Sequence, residues 1–213
     1  SIQRLVDKAI ANGMGGMALT DHGNMFGTKE FYNYCKKVNA KRKEEGLPAF
    51  KPIIGCEMYV ARHHKTDKVK ENGDMSGYHL IVLAKNYTGY KNLIKLVSRA
   101  WVDGYYMRPR TDREDLETYH EGLIVCSACI AGEVPRKILR NDIEGAREAA
   151  QWYHRVFGDD YYLELQRHEV KDPYIRANRE AFPLQQRANK VMLEMAEEMG
   201  INVVCTNDAH FVD

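Results

Sequence analysis

The stretch His79-Leu80-Ile81-Val82-Leu83-Ala84-Lys85-Asn86-Tyr87-Thr88-Gly89-Tyr90-Lys91-Asn92-Leu93-Ile94-Lys95-Leu96-Val97-Ser98 joins two periodicities. Residues 80–84 form a short unbroken apolar run, the pattern of a buried strand. Over 87–102, Leu93, Ile94, Leu96 and Val97 return at helical spacing. A strand followed by a helix is one βα unit, and such units recur on both sides. Towards the N-terminus lie a helix with an apolar stripe of Leu5, Val6, Ala9 and Ile10, a strand over 17–20, and a helix over 27–45. That second helix carries Lys36, Lys37, Lys41, Arg42 and Lys43 on a solvated face. A strand over 53–61 and a polar loop over 62–77 follow. Towards the C-terminus, a strand over 123–127, helices over 133–140 and 143–157, and a strand over 161–166 can be read. A long helical region over 172–199 comes next, with Asp172-Pro173 as its start and Pro183 kinking or restarting it. The last strand covers 203–206 and reads as buried. About six strands alternating with helices predict an α/β fold: one domain over 1–213 with a mainly parallel, barrel-like sheet.

Composition narrows the function classes. The chain has 213 residues, 44% hydrophobic and 29% charged, and a net charge of +1. Strong nucleic-acid binders carry a basic excess, so any DNA contact is expected to be local. No apolar run reaches the roughly 20 residues that span a bilayer, and the first residues are amphipathic, unlike a signal peptide. Five cysteines, an odd number, without a secretory signal point to a reducing cytoplasm. Cys35, Cys56 and Cys205 read as small buried hydrophobes.

In α/β folds chemistry gathers where strands end. Here several strands deliver a metal-ligand type at that edge: Asp21-His22 after 17–20, Glu57 in 53–61, Cys129 after 123–127, and Asp208-Ala209-His210 after 203–206. His79 sits instead at the entry to its strand. Either that strand runs opposite to the others, or its preceding loop crosses the mouth. Imidazole, carboxylate and thiolate together suit zinc, manganese or iron better than calcium. A glutamate such as Glu57 can bridge two metals about 3.5–4 Å apart, the geometry of phosphate-ester hydrolysis. No Gly-x-Ser-x-Gly, P-loop or Gly-x-Gly-x-x-Gly is present.

Each residue also has a plainer reading. Asp21-His22-Gly23 is an ordinary turn composition. Glu57 could pair with a lysine, and His79 could be a packed core histidine. In Cys126-Ser127-Ala128-Cys129, Cys126 should point into the core and leave Cys129 as the candidate ligand. The run His63-His64-Lys65, with Lys68 and Lys70, reads as a solvated loop. Arg108-Pro109-Arg110, after Tyr105-Tyr106, reads as a phosphate-backbone contact or as a surface loop. His168, after the strand 161–166, points towards the same mouth.

The segments "ALTDHGNMFG" (18–27), "KPIIGCEMYV" (51–60), "YHLIVLAKNYTGYKNLIKLVS" (78–98), "GLIVCSACIAGEVP" (122–135), "YYLELQRH" (161–168) and "VVCTNDAHF" (203–211) occur in this order and spacing. Together they resemble the PHP (polymerase and histidinol phosphatase) domain of bacterial DNA polymerase III alpha subunits, over essentially the whole chain. The resemblance implies a distorted seven-stranded β/α barrel with a metal cluster at its carboxyl edge. It implies His22, Glu57, His79, Cys129, Asp208 and His210 as ligands of zinc or manganese, up to three ions in the family. By the same resemblance Glu57, Asp208 and His210 would carry the catalysis and Asp21 would orient His22 from behind. Family members carry a further His-x-His motif on the first strand, which would lie before Ser1. That leaves the position built from Glu57, His79 and Cys129 as the complete one, and fewer ions and weak or no activity in the fragment alone. For the protein around it the resemblance implies DNA replication, with a primer 3′ end and other polymerase subunits as partners and a 3′–5′ exonuclease as a possible activity. Nucleotidyl transfer itself would use carboxylates elsewhere. Two alternatives remain: a scaffold module with a vestigial site, and a free-standing phosphatase such as histidinol phosphatase.

Overall fold

The computed structural model describes residues 1–69, 76–172 and 174–212. Its strands are β1 (Gly16–Leu19), β2 (Lys51–Val60), β3 (Tyr78–Ala84), β4 (Tyr105–Tyr106), β5 (Arg108–Thr111), β6 (Leu123–Cys126), β7 (Tyr161–Gln166) and β8 (Asn202–Thr206). Its helices are α1 (Ile2–Ala11), α2 (Thr28–Glu44), α3 (Tyr87–Val102), α4 (Arg113–Thr118), α5 (Glu133–Leu139), α6 (Ile143–Phe157) and α7 (Phe182–Met199).

The strands form one curled, barrel-like sheet in the order β4-β5-β2-β3-β6-β7-β8, with β1 beside the first half of β2. Among the described residues β1 and β8 do not pair. β2 is antiparallel to β3 and β3 to β6, while β1–β2, β2–β5, β6–β7 and β7–β8 are parallel. β3 therefore runs against its neighbours, and its first residues lie at the carboxyl edge of the others. That settles the position of His79. None of the described residues between β2 and β3 is helical, and a parallel return needs a crossover of a dozen or more residues, usually a helix.

The helices form where sequence and packing agree. Asn86 caps α3 by accepting the Gly89 amide at 2.9 Å, and Leu93, Leu96 and Ala100 are buried against the sheet. Full burial of each leucine contributes about 1.5–3 kcal/mol. Asp142 caps α6, whose Ala146, Ala149 and Ala150 let it approach closely. α7 ends at Gly200, whose φ of +66° supplies the left-handed cap. One large core joins β2, β3, β6 and β7 to α3, α5, α6 and α7. A smaller core of Val6, Ala9, Phe31, Cys35 and Phe50 joins α1 and α2 to the start of β2.

Several expectations need correction. Strands β4 and β5 make a short hairpin where the sequence read as a loop. The helical region begins with a wide turn at Ala177–Ala181, not at Asp172. Asp172 instead caps a turn, accepting the Tyr174 amide at 2.9 Å; Pro173 lies outside the described residues. Pro183 does restart the helix, in the first turn of α7. β8 is an edge strand with Val203 and Cys205 exposed, so neither a buried strand nor a buried Cys205 is found. Lys65 is 3% exposed and pairs with Asp112 and Asp115 at 3.2 and 3.1 Å, so the loop is anchored rather than fully solvated; Lys70 lies outside the described residues. No helix among the described residues is long and apolar enough to cross a membrane.

Candidate metal centre

The centre of the site is Glu57, buried in the middle of β2 and 3% exposed. The loop after β1 continues the ladder beside it: the Glu57 amide donates to Asp21 O at 3.0 Å and the Gly23 amide to Glu57 O at 2.8 Å. This places His22 directly beside Glu57, with His22 Nδ1 3.0 Å from Glu57 Oε1. On the other flank β3 brings His79, and its Nδ1 lies 2.7 Å from the same Oε1. Both rings donate from Nδ1 to one carboxylate oxygen.

The turn after β6 adds Cys129. His79's amide donates to Ala131 O at 3.2 Å, and Cys129 Sγ lies 3.5 Å from His79 Nδ1. The turn is tight because Gly132 passes the strand end closely: a Cβ there would meet Ser127 O at 2.0 Å. Cys126 is buried, and burial pushes its thiol up to about 12. That leaves Cys129 as the accessible sulfur, as expected.

The last segment approaches from the far edge. His210 Nε2 lies 3.3 Å from His22 Nε2, and His210 Nδ1 donates to Asp208 O at 2.8 Å. Asp208 Oδ1 lies 3.8 Å from His210 Nδ1. Five of the six expected ligand side chains, His22, Glu57, His79, Cys129 and His210, thus form one linked chain of contacts, and Asp208 joins it through His210.

Electrostatics tie the inner members together. Burial works against protonation of His79, but its hydrogen bonds to Cys129 and Glu57 win and push its pKa up to about 10. Burial works against ionisation of Glu57, but the His79 and His22 contacts win and hold it below the usual carboxylate value.

The donors fit a divalent ion in type and, for two pairs, in spacing. His22 Nδ1–H points at a carboxylate and His210 Nδ1–H at a carbonyl, both of which only accept. In the neutral rings both Nε2 atoms then carry lone pairs, facing each other at 3.3 Å. Two lone pairs at that distance repel unless a proton or cation lies between them. Zinc–nitrogen bonds of about 2.0–2.1 Å in a tetrahedron separate two ligand nitrogens by roughly 3.3 Å. The 3.5 Å from Cys129 Sγ to His79 Nδ1 matches one sulfur and one nitrogen ligand in length, but that nitrogen carries the proton donated to Glu57 and must lose it before it binds an ion. The Glu57–His79 pair does not match: at 2.7 Å it is a hydrogen bond. It would open by about half an ångström to share an ion. Accordingly, among the described residues no three of these side chains are arranged to hold an ion as they stand.

Two expected residues behave differently. Asp21 does not reach the His22 ring; its carboxylate accepts the Gly27 amide at 3.0 Å and fixes the loop into α2. Arg110 is fully buried, with its guanidinium donating to Lys65 O and Asp67 O at 2.9 and 3.0 Å, so it is withdrawn from any nucleic-acid contact. Arg108 is exposed and lies 5.6 Å over the Tyr59 ring, which packs edge-on to His79. The sequence reading missed the inward-facing polar side chains of β7, Glu164 and Gln166, each 4% exposed.

Comparison with known proteins agrees with this architecture. The PHP domain family model matches residues 1–168. The chain belongs to the PHP family. It is 43% identical over its whole length to the DNA polymerase III subunit alpha of Borreliella burgdorferi and 40% identical to that of Treponema pallidum. Over 92% of the chain it is 40% identical to the subunit from Thermus aquaticus. The chain spans only 17%, 16% and 14% of those relatives. Among solved structures, a protein from Bifidobacterium adolescentis, provisionally described as a metal-dependent phosphoesterase, shares the fold with a TM-score of 0.51. It is 14% identical, and the match covers 99% of this chain and 82% of that one.

Proposed function

We propose that this PHP domain is a divalent-metal phosphoesterase centre in a replicative DNA polymerase, releasing nucleotides from a primer 3′ end as a 3′–5′ proofreading exonuclease. The observation that carries the reading is the pair of imidazoles, His22 and His210, whose Nε2 atoms face each other at 3.3 Å beside Glu57. The polymerase subunits that share the sequence support a DNA substrate and other polymerase subunits as partners. The phosphoesterase description of the structural neighbour supports the reaction class.

In this reading His22, Glu57, His79, Cys129, Asp208 and His210 hold zinc or manganese. A bound cation of this kind lowers the pKa of its water and offsets charge on the phosphoryl oxygens. Glu57 accepts from His22 Nδ1, which fixes that ring's tautomer and leaves the lone pair of His22 Nε2 towards the mouth. His210 is fixed likewise by the Asp208 carbonyl. Glu57, Asp208 and His210 are the catalytic set. Arg108, exposed one ring away from His79, contacts a DNA phosphate. Nucleotidyl transfer belongs to residues outside this chain.

One observation favours a scaffold instead: the Glu57–His79 hydrogen bond closes the inner cluster without an ion. His210→Ala in the full-length polymerase separates the two. The proposal expects nucleotide release from primed DNA to fall at least 100-fold with an unchanged melting temperature. No nucleotide release from wild-type protein at any metal concentration, or release unaffected by the substitution, favours the scaffold.

A further inference from the structure

Strand β7 sits between two strands whose ends bear ligand candidates, yet it supplies none itself. Its inner side chains alternate as Glu164, Gln166 and then His168 just past its end. All three reach sideways. Glu164 Oε2 accepts the Ala128 amide at 3.0 Å, on the turn that presents Cys129. Glu164 Oε1 accepts from the Thr206 hydroxyl at the end of β8 and from Gln166 Nε2 at 3.2 Å. Gln166 Nε2 also lies 3.4 Å from Thr206 Oγ1. His168 Nε2 donates to Asn207 O at 2.6 Å. Its tautomer is fixed from behind, because Gln185 Nε2 lies 2.9 Å from His168 Nδ1.

Two of these bonds meet the chain at particular places. Ala128 and Asp208 are non-glycine residues with φ of +62° and +49°. Left-handed backbone is unfavourable for such residues and persists only where its surroundings hold it. The peptide whose rotation sets φ at Ala128 carries the amide that Glu164 accepts. The peptide whose rotation sets φ at Asp208 carries the carbonyl that His168 binds. One strand therefore grips both strained turns at the bond that determines their direction. Cys129 follows the first turn directly, and His210 follows the second by two residues.

We propose that Glu164 and His168 are positioning residues that aim Cys129 and the Asp208–His210 loop at a common centre, with β7 acting as the clamp between them. The clamp deepens the phosphoesterase reading and rests on it for its purpose, though the turns are held whether or not an ion is bound. Glu164 is the larger arm because it reaches both neighbours. Gln166 Oε1 is buried without a partner among the described residues, so a flip of its amide breaks no bond at Oε1 and presents an acceptor to a glutamine at 164. Glu164→Gln should therefore be tolerated where Glu164→Ala is not.

The test is residue-resolved hydrogen exchange on the metal-free purified protein, alongside cobalt titration. For Glu164→Ala, exchange should rise at least tenfold at Ala128, Cys129 and residues 208–210 while Val125 and Leu163 stay protected. Cobalt affinity should fall about 10–100-fold, with loss of the sulfur-to-cobalt band from Cys129. Glu164→Gln should restore most of both. A merely structural Glu164 would lower the melting temperature without this local pattern and without that rescue. Wild-type exchange at both turns with unchanged cobalt affinity overturns the proposal. Should Glu164→Ala fail to fold, His168→Ala must raise exchange at 208–210 alone and leave the sulfur band intact; no change there also overturns it. Wild-type protein that takes no cobalt, yet shows the exchange pattern, sinks the phosphoesterase reading and leaves the clamp standing.

Discussion

Glu57, His79 and Cys129 come from β2, β3 and the turn after β6, three neighbours in the sheet joined by continuous ladders. His22 and His210 come from the loops after β1 and β8, which do not pair among the described residues. The inner group is buried or half-buried: 4% of the Glu57 side chain and 24% of the His79 side chain is exposed. The outer pair is open, at 48% for His22 and 51% for His210. Inside, unlike groups attract and hold each other. Outside, two like groups are brought together with only a weak reason to stay there without an ion. The inner group should therefore matter to folding and to ligand binding, and the outer pair to ligand binding alone.

The largest break in that contrast is Glu57→Ala. It leaves His22 and His79 without their shared acceptor, and removing one member of a buried charged pair costs roughly 3 kcal/mol. We expect a clear fall in melting temperature and loss of measurable zinc or manganese binding by calorimetry. His210→Ala comes next. Zinc affinity should drop at least tenfold, with stability within about 0.5 kcal/mol of wild type by urea unfolding, as for other exposed sites. Equal stability losses for the two variants would erase the distinction.

A smaller effect sharpens it through pH. His79 is raised from 6.5 to about 10, so its contribution to stability is complete below 6.5 and is lost as pH rises through about 10. Glu57 is lowered from 4.5, so its contribution is present above 4.5 and is lost as pH falls below that value. The melting difference between wild type and His79→Gln should be greatest between 4.5 and 6.5 and shrink towards 10. The same proton must leave for His79 to bind a cation, so zinc binding should release protons and tighten as pH rises.

Much of this was legible in the sequence. Residue types that bind metals fall at the ends of apolar runs, and those runs are separated by helical patterns, so the rim could be written down beforehand. The direction of β3 could not be read from "LIVLA", since a strand's pattern is the same read either way. The clue lay outside it, in the absence of any helical periodicity between residues 61 and 77. The β4–β5 hairpin was hidden because Pro109 and two arginines are poor strand signals. Burial of Arg110 depends on carbonyls from a loop more than 40 residues away in sequence, and no local pattern reports that. Glu164 and Gln166 alternate with buried Tyr161 and Leu163 and half-buried Leu165, which suggests an outward polar face. Helices cover one side of β7 and the site's loops cover the other, so its polar face is interior as well. Glu57 escaped the same misreading because it stood with the other metal-ligand types at the strand ends, and the family motif marked it as well.

The smallest expected effect concerns the rim. Arg108→Ala should leave folding unchanged, weaken single-stranded DNA binding by about threefold to tenfold, and reduce the salt dependence of binding by about one counterion. An unchanged salt slope would remove Arg108 from the contact.

The most direct test of the central claim is anomalous diffraction at the zinc edge from crystals of the protein grown with zinc. Our account predicts a peak bonded to Glu57, His79 and Cys129 together, at about 2.0–2.3 Å, with a weaker peak between His22 and His210. A map with no peak at the carboxyl edge of β2, or with zinc bound only elsewhere on the surface, would contradict it.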